Sequence, residues 1–201
     1  MKKIFYILFL LFALTGCRNK DAKIIYKYDS KLNCYYVAAY EGKVKEAIIP
    51  ETYEGNKGVL EVKYIGENAF IGCDSLETVS LPNTITKISM MSFYNCVNLS
   101  SINLPEGLQK IETKAFYYCE KLNNITIPST LVYVGVKAFG VTGITEIHLP
   151  ITLTEIKAYA FEGCNVRITC DGYRANDNWD PNWSLNQSYE GNIEVIFASE
   201  E

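Results

Sequence analysis

A five-residue phrase recurs along this chain and settles its overall form before any other feature is considered. Ala69-Phe70-Ile71-Gly72-Cys73 returns as Ser92-Phe93-Tyr94-Asn95-Cys96, Ala115-Phe116-Tyr117-Tyr118-Cys119, Ala138-Phe139-Gly140-Val141-Thr142 and Ala160-Phe161-Glu162-Gly163-Cys164. The phenylalanines follow one another after 23, 23, 23 and then 22 residues. A period of this length specifies units that cannot bury their apolar faces alone and must stack into a solenoid.

Around each phrase the pattern predicts a coil. Strands ending in proline follow it: Leu76 to Pro82, Leu99 to Pro105, Leu122 to Pro128 and Ile144 to Pro150. Alternation turns Val79 and Leu81 inward, and proline, having no N–H for a ladder, ends each strand. A second apolar pair comes next (Ile85 and Ile88, Leu108 and Ile111, Leu131 and Val134, Leu153 and Ile156). Each coil thus offers inward residues from three sides.

The expected architecture is a repeat solenoid of leucine-rich-repeat type, with mainly short parallel β-strands and short helical turns. An N-terminal β-hairpin cap is expected from Leu32 to Tyr40 and Lys43 to Ile49 around Glu41-Gly42, and Tyr53 to Gly58 reads as a turn. Val166 to Cys170 reads as the last strand of the repeats, with an irregular cap beyond it containing Trp179, Trp183 and Ile193 to Phe197. The expected division is 1–16 signal peptide, 17–23 tether, 24–49 N-terminal β cap, 50–170 solenoid of about five coils and 171–201 C-terminal cap. Five parallel rungs extend about 25 Å.

The N-terminus carries an export signal. Lys2-Lys3 precedes an apolar run of eleven residues, Ile4 to Leu14, which has the length of a secretory core and is too short to span a bilayer. Leu14-Thr15-Gly16-Cys17 resembles the bacterial lipobox. That resemblance implies lipidation of Cys17, and several acyl chains on one residue suffice for stable anchoring. Arg18 rather than aspartate follows Cys17, so the segment does not resemble the inner-membrane retention signal. The expected destination is the outer membrane or cell surface. The net charge is −4, and removal of the signal with its two lysines lowers it to about −6. An acidic chain without a basic block does not bind nucleic acid.

The Leu-x-x-Ile-x-Leu-Pro strands, the Ile-x-x-x-Ala-Phe-x-x-Cys turns and the Tyr64 to Phe70 opening resemble the BspA-like, treponemal-type leucine-rich repeats of bacterial surface proteins. Trp179-Asp180-Pro181-Asn182-Trp183 and Val195-Ile196-Phe197 are similar to the family's terminal cap. The resemblance covers roughly residues 44–197. It implies a non-enzymatic scaffold for protein binding or adhesion at the surface. The family has no common catalytic residue.

Few residues invite chemistry, and no catalytic, cofactor-binding or metal-ligating residue is expected. Cys73, Cys96, Cys119 and Cys164 hold the same place in successive coils, where small buried apolar groups are needed. Such a column does not surround a metal ion. Cys34 and Cys170 lie at opposite ends. His148 faces outward beside Glu146, without an identifiable nucleophile. The outward positions Thr78, Ser101, Asn124 and Ser80, Asn103, Thr126 are small and neutral. The edge after phenylalanine is richer in anchors: Tyr94, Tyr117 and Tyr118 are the candidate ligand-binding residues, for an extracellular protein or, alternatively, a glycan.

Overall fold

The computed structural model describes residues 23–172 and 177–198. The signal peptide, Cys17 and nearly all of the tether lie outside the described residues. In chain order the strands are β1 (Lys23–Asp29), β2 (Cys34–Glu41), β3 (Glu46–Ile48), β4 (Thr52–Gly55), β5 (Gly58–Ile65), β6 (Thr78–Ser80) and β7 (Lys87–Ile88). They continue as β8 (Ser101–Ile102), β9 (Lys110–Ile111), β10 (Tyr133–Val134), β11 (Glu146–Leu149), β12 (Glu155–Ile156), β13 (Val166–Cys170) and β14 (Ile193–Phe197).

Two lines of parallel strands run along the stack. One carries the order β1-β2-β5-β7-β9-β10-β12, parallel from β2 onward. The other begins β3-β6-β8, passes through a bridge between Ser101 and Asn124, and resumes as β11-β13-β14. The result is a leucine-rich-repeat β-solenoid of about seven turns. Ile65, Ile88, Ile111, Val134 and Ile156 enter the core from the first line, and Val79, Ile102, Ile125, Ile147 and Ile168 from the second. Each such buried side chain is worth about 1.5–3 kcal/mol in transfer free energy.

The third side of the core is a column of phenylalanine rings. Phe70, Phe93, Phe116, Phe139 and Phe161 are fully buried, with successive centroids 5.0, 5.3, 5.5 and 5.4 Å apart and planes within 11° of parallel. Tyr40 continues the column at Phe70, and Trp183 meets Phe161 edge-on at 6.3 Å. Trp179 donates its Nε1–H to the Leu153 carbonyl at 3.0 Å.

Contrary to the expected short helical turns, the described residues contain no helix. The reason is periodic. The residue before each Ala or Ser of the phrase is left-handed (Asn68, Met91, Lys114, Lys137, Tyr159), and so is the second residue after each phenylalanine (Gly72, Asn95, Tyr118, Val141, Gly163). A left-handed residue cannot continue a right-handed helix. Alternate N–H groups then point along the stack: Phe70 donates to Ser92 O at 2.7 Å, Phe93 to Ala115 O at 2.9 Å and Phe116 to Ala138 O at 2.8 Å. The intervening N–H groups close tight turns, as Ala115 does to Glu112 O.

The N-terminal hairpin also differs from the expected one. It pairs β1 with β2, and the segment after Gly42 becomes β3, parallel to β6 in the other line. The Asp29 carboxylate accepts the Lys31 and Leu32 N–H groups, and Asn33 is left-handed, so the chain reverses there. At Gly42 a φ of 112° sends the chain across the stack instead. Within Tyr53 to Gly58 the turn narrows to Asn56-Lys57, which joins antiparallel β4 and β5. Residues 171–201 are not wholly irregular, because β14 adds a parallel rung beside β13.

Candidate functional site

The edge after the phenylalanine column gathers tyrosines from two adjacent coils and from the C-terminal loop. Tyr94 and Tyr117 hold equivalent places in adjacent coils, and their rings lie 5.8 Å apart at 26°. Tyr118, left-handed at φ 63°, meets Tyr117 edge-on at 4.5 Å and Tyr94 at 6.1 Å and 85°. Tyr189 arrives from the loop and meets Tyr118 at 6.2 Å and 83°. The hydroxyls of Tyr118 and Tyr189 share a short hydrogen bond.

The four rings are not equally accessible. Tyr117 is only 6% exposed, whereas Tyr94 and Tyr118 are half-buried and Tyr189 is 36% exposed. Burial pushes the Tyr117 hydroxyl pKa well above the ordinary phenol range. The hydrogen bond between Tyr118 and Tyr189 raises that of Tyr118 and lowers that of Tyr189. Tyr117 therefore supports the edge from beneath, and Tyr94, Tyr118 and Tyr189 present it.

Glu162 occupies the place in its coil that Tyr94 and Tyr117 occupy in theirs, and it is fully buried. Its Oε2 lies 2.8 Å from Lys137 Nζ, and its Oε1 accepts the N–H groups of Gln187 at 3.3 Å and Ser188 at 3.1 Å. Asn186 Oδ1 accepts the Gly163 N–H at 2.6 Å. These bonds hold the loop that delivers Tyr189. Sequence reasoning missed both Glu162 and Tyr189. The repeat frame did mark Glu162, the one acid in an otherwise uncharged column, but nothing in the sequence registers Tyr189 against Tyr118.

The cysteines serve the interior. Cys96, Cys119 and Cys164 donate their thiols to the carbonyls of Phe70, Phe93 and Phe139 at 3.0, 3.1 and 3.2 Å, and Thr142 Oγ1 donates to Phe139 O at 2.9 Å. All six described cysteines are free thiols. His148 has partners that the sequence did not reveal: Nδ1 lies 2.9 Å from Thr169 Oγ1 on the next rung, and Nε2 lies 2.9 Å from Asp171 Oδ1. The set superficially suggests nucleophilic catalysis. However, His148 and Asp171 are 58% and 47% exposed, so the set lies open to solvent. No group of three or more His, Cys, Asp or Glu residues able to hold a metal occurs among the described residues.

Comparison with known proteins agrees with this geometry. The model of the BspA type leucine rich repeat region matches residues 57–167 in six copies, and the prokaryotic membrane lipoprotein lipid attachment site matches residues 1–17. No curated protein matches the chain. The structure is similar to that of a Treponema pallidum leucine-rich repeat protein, with a TM-score of 0.71 and 26% identity over 87% of this chain and 82% of that one. A Bacteroides ovatus leucine-rich repeat protein gives 0.69 and 24% over 81% of this chain, which spans 43% of that longer chain. The pneumococcal vaccine antigen PcpA shares the fold at a TM-score of 0.58 and 12% identity, covering 84% of this chain and 47% of that one. With more than half of its length matched, this chain belongs to the BspA type leucine-rich repeat family.

Proposed function

We propose that this protein is a non-enzymatic lipoprotein, anchored through Cys17 and displayed on the outer membrane or cell surface, where it binds another protein and serves in adhesion. The observation that carries the reading is the edge formed by Tyr94, Tyr118 and Tyr189. Tyrosines supply large contact area at little entropic cost, and tyrosine is enriched among interface anchors. The edge is also rigid: two of its residues sit on a hydrogen-bonded backbone and the third is tied down by the Glu162 network. The lipid attachment site supports the anchor.

The test uses full-length chain on liposomes, offered to an array of purified extracellular and bacterial-surface proteins. At least one should bind, with affinity reduced about tenfold or more by Tyr94→Ala with Tyr118→Ala. No binder, or one indifferent to both substitutions, contradicts the reading. Cys17→Ala should move the protein out of the membrane fraction, and protease added to intact cells should cleave the wild type.

A glycan-capturing role would draw on the same rings. Their crossing angles of 85° and 83° leave no broad flat platform for a sugar ring, which favours a protein partner. Unchanged mobility of Tyr94→Ala with Tyr117→Ala in polysaccharide affinity gels would dispose of the glycan role. A hydrolase screen that found activity lost in His148→Ala would overturn the non-enzymatic assignment.

A further inference from the structure

The outward row of the first line of strands sets two lysines side by side between tyrosines. Register places Tyr36, Tyr64, Lys87, Lys110, Tyr133 and Glu155 side by side on six successive rungs. The corresponding row on the opposite line runs Glu46, Thr78, Ser101 and Asn124, then Glu146, Arg167 and Glu194, and places no two cations on adjacent rungs. The two lysines are roots of adjacent parallel rungs, about 4.8 Å apart. Like charges placed directly opposite one another on a sheet are destabilising. Here they also lack compensation: among the described residues no carboxylate lies within ion-pair reach of Lys87 or Lys110. The nearby lysines differ, since Lys63 pairs with Glu61 and Lys157 with Glu155. Two uncompensated, adjacent ammonium groups are therefore notable on a chain of net charge −4.

The aromatic residues on either side hold this charge in place. Tyr64 stacks on Tyr36 at 4.6 Å and 8°, and its hydroxyl donates to Asp29 at 2.8 Å. Lys87 Nζ lies 4.5 Å from the Tyr64 centroid, so that ring carries Tyr36 and an ammonium group. Tyr133 bounds the row on the other side, with Lys157 Nζ 5.8 Å from its centroid. Beside Lys110 and Tyr133 is a depression of about 240 Å³ that also reaches Glu67 and Glu112. Glu112 is engaged, accepting the Met90 N–H at 3.1 Å. Both carboxylates repel an anion and so confine it to the lysine row.

We propose that Lys87 and Lys110, between Tyr64 and Tyr133, dock an extended acidic segment of a protein partner. Same-face side chains of an extended strand lie roughly 6.8 Å apart, within reach of two lysine stems that mutual repulsion splays. An anionic polysaccharide fits less well, because Tyr64 has its ring occupied by Tyr36 and Lys87 and offers no free face for sugar stacking. The proposal deepens the protein-binding reading but does not depend on the tyrosine edge.

The test is fluorescence anisotropy with full-length chain in non-ionic detergent and a labelled peptide of alternating Glu and Ser, with an alternating Gln and Ser peptide as control. The acidic peptide should bind, and Lys87→Gln with Lys110→Gln should weaken it about tenfold or more. Raising salt from about 50 to about 300 mM should weaken the wild type more than the double variant. Tyr94→Ala with Tyr118→Ala should leave peptide binding unchanged even if the tyrosine edge proves inactive. Both lysines are at the surface, and circular dichroism checks the fold of each variant. Equal binding of the Gln peptide, or unchanged affinity in the lysine variant, overturns the site. Binding of polygalacturonate but not the peptide replaces the protein partner with a glycan.

Discussion

The ring of Tyr117 lies across Gly140, its neighbour one coil further along: a Cβ on Gly140 would stand 2.6 Å from Tyr117 Cε2 and 2.7 Å from Cδ2. The glycine thus makes the room in which Tyr117 becomes the buried floor of the tyrosine edge. Gly140→Ala should expel that ring and cost about 1–3 kcal/mol, as overfilling does elsewhere. Urea unfolding measures the cost, and a change in near-ultraviolet circular dichroism should report the displaced tyrosines. A variant as stable as the parent, with an unchanged tyrosine signal, contradicts this account.

Phe116 is the middle ring of the column, stacked on Phe93 at 5.3 Å and on Phe139 at 5.5 Å. Phe116→Ala should cost about 3–5 kcal/mol, because rings fixed on both sides cannot collapse into the space. The same substitution at Tyr94, which is half-buried, should cost much less. Paired denaturation curves decide, and equal losses would mean that the column is no more than ordinary core.

Glu162 ties the C-terminal loop to the stack. Glu162→Gln leaves Lys137, 19% exposed, without its counter-charge and weakens the acceptor for the Gln187 and Ser188 N–H groups. A loss of about 1–3 kcal/mol follows for breaking a largely buried pair. Hydrogen exchange at the Gln187 and Ser188 amides should accelerate before that of the central coils. Unaltered protection there would show that the loop is held by other means.

The interior thiols make stability sensitive to alkali. Burial pushes Cys119 up to about 12 and Cys170 up to about 11, from an ordinary 9.0. A raised folded-state value contributes stability that is full below the unfolded value and lost as pH rises through the folded one. The melting temperature should therefore fall between about pH 9 and about pH 12, and Cys119→Ala should flatten the fall. Cys73 is different: it is half-buried, and the neighbouring Cys96 side chain lowers its thiol pKa. Alkylation of native protein should reach Cys73 first, with Cys96, Cys119 and Cys164 protected until unfolding. Uniform labelling of all four would contradict these placements.

The sequence displayed what repeats and concealed what alignment of the rungs creates. The Ala-Phe phrase and the proline-ended strands could be read directly, because each places a large apolar residue at a fixed interval. Strands such as Lys87–Ile88 are two residues long and too short to show alternation, so the Tyr64 to Tyr133 row emerges only once the coils are in register. Tyr94 and Tyr117 looked equivalent. They differ because the next coil offers Tyr117 a glycine and Tyr94 another tyrosine. Left-handed Met91 and Lys114 could not be foreseen, since neither residue type favours that conformation.

The backbone bonds that join one central coil to the next also set how far the chain must search as it folds. The bonds Phe70 to Ser92, Phe93 to Ala115 and Phe116 to Ala138 each close a loop of 22 residues, and Phe139 to Ala160 closes one of 21. Closure entropy grows only with the logarithm of loop length, and here that length varies by a single residue. Each added turn therefore faces nearly the same entropic barrier as the one before, and assembly can spread outward from any formed pair of coils. Within such a chain the number of turns is free to vary without changing the search for those already present.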